Sequence, residues 1–293
     1  EEIMKKSLIL FIKFLIPAAL YFLMTILAEN LITSFFGIDM SNFKMHSQQE
    51  TFMGLFTVAI IQILVLTLVA KRSKLRGKHL AWLLSILFFT INHALNFIES
   101  LLFLRNIYPI SMQMANLLNG LITSLVLGYA IAYLQESSGK NQEDIPVFIW
   151  SKRLVLPWAG WIIIWFIIYI CAGVLIPMNV NGVYEFYFSG EGAMDISLVP
   201  IGYLMQIPRG SIWILLAIAL QKYQKGTSWE KSLVTGIVFG CLMSSSLLIP
   251  NFLMPDIVRM AHLPEILYAN LLWGIIISWK VNKHFMPIDR ASE

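Results

Sequence analysis

Charge is scarce in this sequence: 13% of its 293 residues are Asp, Glu, Lys or Arg, against 58% hydrophobic, and the apolar residues run in long blocks. That pattern excludes an ordinary soluble domain and predicts an all-α, polytopic integral membrane protein. Cysteine is nearly missing. Cys171 and Cys241 lie far apart, with no CxxC spacing, which excludes a disulfide framework and a thiolate metal site. No phosphate-binding loop, dinucleotide fingerprint or HExxH occurs, so nucleotide coupling within the chain and that metalloprotease chemistry are excluded. The residues name no cofactor.

What is present is a series of apolar blocks. A hydrocarbon core needs about 20 apolar helical residues per crossing. On that measure about eight spans are expected, at residues 8–36, 52–70, 80–104, 113–134, 154–176, 199–220, 232–254 and 265–279. The blocks are too long and too continuously apolar for a closed β-barrel. The first follows Lys5 and Lys6 but lacks a small-residue cleavage site, and is read as a retained span. The formal net charge of +4 does not point to nucleic acid, because the basic residues are confined to short connections. Lys5, Lys6, the run "KRSKLRGK" at 71–78, Lys140, Lys152, Arg153, Lys222, Lys225, Lys231, Lys280, Lys283 and Arg290 fall on one side. Only Lys44, Arg105 and Arg259 fall opposite. Both termini are therefore expected in the cytoplasm, with the protein in the cell membrane. In the connection 177–197, Asn181-Gly182 between strand-like flanks suggests a small hairpin.

"ANLLNGLITS" at 115–124 returns as "ANLLWGIIIS" at 269–278, with Asn116 matching Asn270 (270 − 116 = 154). Arg105 and Arg259 match at the same displacement, and "KFLIPAA" at 13–19 resembles "RLVLPWA" at 153–159. Three matches in order predict a duplicated four-span unit, a parallel 4+4 repeat with halves at 1–150 and 151–293 and a pseudo-two-fold along the membrane normal.

Polar residues interrupt this background. In "FFTINHALNFIES", residues 88–100, Asn92, Asn96 and Glu99 share one helical stripe and His93 stands about a quarter turn away. A carboxylate facing lipid is costly, so the third span should turn inward. Asn116, Asn119, Asn270, Gln206 and Arg209 join these as candidate substrate-binding residues, concentrated from the midplane outward. They imply an outward-facing polar cavity. The stretch "QIPRG" at 206–210 predicts a sixth span broken at Arg209, because proline removes a backbone hydrogen bond.

Three functions compete for this pattern. A transporter or flippase-like permease for a polar or amphipathic substrate accounts for the spans, the duplication and the one-sided polarity. An intramembrane enzyme acting on a lipid or membrane-bound substrate would use His93 as base or ligand, with Glu99 or Glu265 as partner and His262 nearby in "MAHLPE". The third is a non-catalytic subunit of a membrane complex. The partners implied are membrane lipids, a small polar or lipid substrate, or a partner subunit.

Overall fold

A computed structural model describes residues 2–37, 47–104, 108–135, 157–175, 179–188, 199–251 and 253–285. The described residues are mostly helical: α1 (Glu2–Phe36), α2 (Gln48–Arg72), α3 (Gly77–Phe89), a π turn (Thr90–Ala94), α4 (Leu95–Phe103), α5 (Ile110–Gln135), α6 (Trp158–Leu175), α7 (Val183–Phe188), α8 (Val199–Tyr223), α9 (Ser228–Ser245), a 3-10 turn (Ser246–Leu248) and α10 (Asp256–Phe285). Seven of these stretches are long and apolar enough to cross a membrane, and Trp158–Gly173 is a shorter apolar helix. The chain has the build of a multi-pass membrane protein.

Burial separates the centre of the bundle from its rim. Within the span Ser228–Leu248 of α9, 67% of the most apolar stretch is buried, against 12% for Ser7–Leu27 of α1. The rim displays Leu8, Phe11, Leu15 and Leu23 outward, a surface that only lipid tails would solvate well. Close helix contact at the centre depends on small residues. Gly236 and Gly274 stand back to back, so that a Cβ added at Gly274 would come 2.7 Å from the Gly236 Cα.

Helix ends follow local chemistry. Ser47 and Thr227 open α2 and α9, each with a full capping box closed by Glu50 or Glu230. Between α2 and α3 and between α8 and α9, the chain makes one antiparallel bridge, Ser73 with Gln224. Its bonds are reciprocal: Lys74 N–H donates to Tyr223 O and Lys225 N–H to Arg72 O, both at 2.7 Å. An ion pair between Arg72 and Glu230 at 3.2 Å reinforces this clasp at the basic end of the bundle.

Several expectations need correction. The sixth span is not broken: α8 runs without interruption through Pro208, since a membrane helix can re-satisfy the one carbonyl that proline leaves. The departure from α geometry lies in the third span, where Leu95 N–H bonds to Thr90 O, five residues back. Asn181-Gly182 leads into the short helix α7, not a hairpin, because Val183 and Tyr187 on one face of α7 bury against Val258 and Ala261 of α10. The last span begins earlier than its apolar block, so Arg259, His262 and Glu265 belong to α10 and not to a loop. The two "ANLL" segments sit in unlike surroundings, Asn116 exposed and Asn270 buried. Lys44, Arg105, Lys140, Lys152, Arg153 and Arg290 lie outside the described residues.

Candidate functional site

On α6, Trp165, Tyr169 and Gly173 recur every four residues and therefore share one face. Against that face lies Arg209 of α8. The Gly210 beside it matters, because a Cβ there would come 3.0 Å from Trp165 Cδ1; without one, α6 and α8 approach closely. The Arg209 guanidinium carbon sits 5.9 Å from the Trp165 ring centroid and 5.5 Å from that of Tyr169, within the range of cation–π attraction. Its Nη1 donates to Gln206 Oε1 at 3.2 Å and pairs with Glu99 Oε1. Arg209 is buried and the Glu99 side chain 25% exposed, so the pair joins an enclosed cation to a partly open carboxylate.

A second group continues from this pair toward the end opposite the basic clasp. Glu265 of α10 leans on the Gly173 side of α6, where a Cβ would stand 3.4 Å from its Oε1. His262, one turn earlier on α10, pairs through Nδ1 with Glu265 Oε2. Its Nε2 lies 2.7 Å from the Tyr187 hydroxyl of α7. Burial, and then the nearby Glu265 carboxylate, Tyr169 and Glu99, hold the Tyr187 phenol above its usual pKa. Tyr187 is thus a neutral phenol; with His262 neutral, Nε2 accepts from it and Nδ1 donates to Glu265. Six side chains from α4, α6, α7, α8 and α10 gather here in two neighbouring groups, Glu99 with Arg209 and Tyr169, and Glu265 with His262 and Tyr187.

Of the residues singled out in the sequence, Glu99, Arg209, His262 and Glu265 belong to this cluster, Gln206 borders it by accepting from Arg209, and the others do not share its contacts. Asn92 is buried deeper, where Gln62 Nε2 donates to its Oδ1 at 2.8 Å and to Ser245 Oγ at 3.1 Å. That trio ties α2 and the third span to α9. Asn96 lies between the two groups, its amide donating back to Asn92 O at 2.8 Å. His93 points elsewhere: its ring stacks on Phe89 and fills the space that Gly120 of α5 leaves by having no Cβ. Asn119 accepts from Thr123 Oγ1 at 3.0 Å, Asn116 is exposed, and buried Asn270 donates to Ile266 O at 2.8 Å within its own helix. No group of three or more His, Cys, Asp or Glu suited to a metal ion occurs among the described residues.

Sequence reasoning missed Gln62, Trp165, Tyr169 and Tyr187. Tyr169 was visible as the lone hydroxyl in "WFIIYICAGVL". His262 and Glu265 have helical i, i+3 spacing, which Pro264 between them disguises. No family model, curated protein sequence or solved structure matches this chain.

Proposed function

We propose that this protein is a cell-membrane transporter or flippase-like permease for a polar or amphipathic substrate, which binds around Glu99, Arg209 and Gln206. The observation that carries the reading is the ion pair joining the third span to α8, with Arg209 buried in the bundle. A charged pair at such depth is costly against any purely packing role, since well-packed apolar groups stabilise as much or more. With the basic clasp at the cytoplasmic face and both termini there, the cluster opens outward.

A duplicated 4+4 architecture, with halves 1–150 and 151–293, supports the same reading. Helix neighbours correspond: α1 with α5 and α6 with α10, α1 with α2 and α6 with α8, the third span with α5 and α9 with α10. Across the halves, α2 meets α9 and α4 meets α8, which is the reciprocity a pseudo-two-fold requires. The register differs from the one read in the sequence. Ile110 and Asp256 open the last helix of each half (256 − 110 = 146). Gly128 packs on Ser85 where Gly274 packs on Gly236, again an offset of 146 (274 − 128).

The test is a proteoliposome loaded with a mixture of polar solutes and labelled phospholipid. Redistribution of at least one component, lost in Glu99→Gln, is expected; wild-type protein no different from empty liposomes overturns the reading. The alternative, an intramembrane enzyme on a lipid or membrane-bound substrate, is favoured by one observation, the Tyr187–His262–Glu265 chain. Covalent change in the phospholipid in the same liposomes would select it.

A further inference from the structure

We propose that His262 and Glu265, fed through Tyr187, are the proton-coupling site of this protein. The proposal rests on the transport reading above and adds to it the coupling ion.

The charge of the cluster carries the argument. With both carboxylates ionised and His262 neutral, Glu99, Glu265 and Arg209 sum to one negative charge among aromatic and apolar neighbours. The other titratable or charged groups on the elements packed there do not alter the sum. Tyr169 of α6 and Tyr187 of α7 are neutral phenols, and Arg259 pairs with Asp256 on α10 itself at 2.7 Å. Glu185 of α7 turns back to accept from Gly182 N at 2.9 Å. On α9, Glu230 and Lys231 lie in the first turns, at the opposite end, and Cys241 is a half-buried thiol. A single uncompensated charge in a low-dielectric site is costly, and one proton removes it.

The path is already hydrogen-bonded. A proton from solution bonds to the Tyr187 oxygen as the Tyr187 proton passes to His262 Nε2, and the Nδ1 proton passes to Glu265 Oε2. The sum is one proton taken from solution and one O–H bond formed on Glu265; Tyr187 and His262 end neutral, His262 as the other tautomer. Glu265 lies some nine residues, about 13 Å of helix rise, inside the start of α10. With α10 crossing the membrane as the transport reading has it, the charge moves part-way into the membrane. Neutral Glu265 no longer competes with Glu99 for the field of Arg209, which pairs with Glu99 and lies over the Tyr169 ring.

A charge moving into the membrane is measurable without knowing the substrate. Full-length protein in proteoliposomes on a solid-supported membrane should give a transient displacement current on a pH jump alone. Glu265→Gln should abolish it. Tyr187→Phe and His262→Gln, changed nearer the surface, should slow it at least about tenfold, and they keep the test decisive where Glu265→Gln does not fold. A wild-type protein with no current, or a current unchanged in all three variants, overturns the proposal. If the current behaves as expected but no solute or lipid redistributes in the liposome assay, the transport reading fails and the proton site stands.

Discussion

Two polar groups tie distant helices of the bundle together, and they are built differently. The trio of Gln62, Asn92 and Ser245 is neutral, buried and bonded among its own members. The Glu99–Arg209 pair is charged, has one partly exposed member and neighbours a chain of further ionisable groups. Neutral interhelical hydrogen bonds in membranes average about 0.6 kcal/mol and suffice to fix helix register. Charge is a poor way to achieve the same end. On the reading proposed above, the trio serves assembly and the charged cluster serves function, although Asn92 and Glu99 belong to the same span.

The comparison breaks most sharply at the pair itself. Glu99→Gln strands a guanidinium that cannot lose its proton, and should destabilise the folded protein by about 3 kcal/mol. Arg209→Gln leaves a carboxylate with some access to water and should cost less, about 1–2 kcal/mol. The double variant should lie closer to wild type than Glu99→Gln does; thermal unfolding in one detergent compares all three. Additive losses would mean that the pair is not coupled.

Packing at the third span comes next. Gly120→Ala would drive a methyl group into the His93 ring and should cost about 1–3 kcal/mol, the range for overpacking. Gly120→Ala combined with His93→Ala should recover part of that loss. Asn92→Ala removes the acceptor of Gln62 and should cost about 1 kcal/mol without slowing the pH-jump current. A lost current would erase the distinction between trio and cluster. Least of all, Asn116→Ala should change stability by under about 0.5 kcal/mol, because the side chain is exposed.

The membrane-spanning character was legible because hydropathy blocks report burial in lipid directly, and the inward turn of the third span followed from the cost of exposing Glu99 there. The π turn was not legible: "TINHA" carries no proline or glycine to announce it. Its result, His93 on α5 and Asn92 on α2 and α9, cannot be read from a uniform 100° wheel. The place of His262 and Glu265 on α10 was hidden for another reason. Arg259, Pro264 and Glu265 lower the local hydropathy, so the apolar block starts late while the helix starts at Asp256. The hairpin reading of "VYEFYF" failed because its aromatic residues suit any half-buried surface, and α10 offers one to a helix.

The central claim is that water reaches the charged cluster from the end opposite the clasp. Its direct test is a single cysteine at Asn96, a half-buried position between trio and cluster, with Cys171 and Cys241 replaced by alanine. Vesicle orientation is set by a second protein with its cysteine at exposed Lys78. A membrane-impermeant thiol reagent should label Asn96→Cys only from the side on which Lys78→Cys is protected. Labelling from the Lys78 side, or from neither side, would contradict the account.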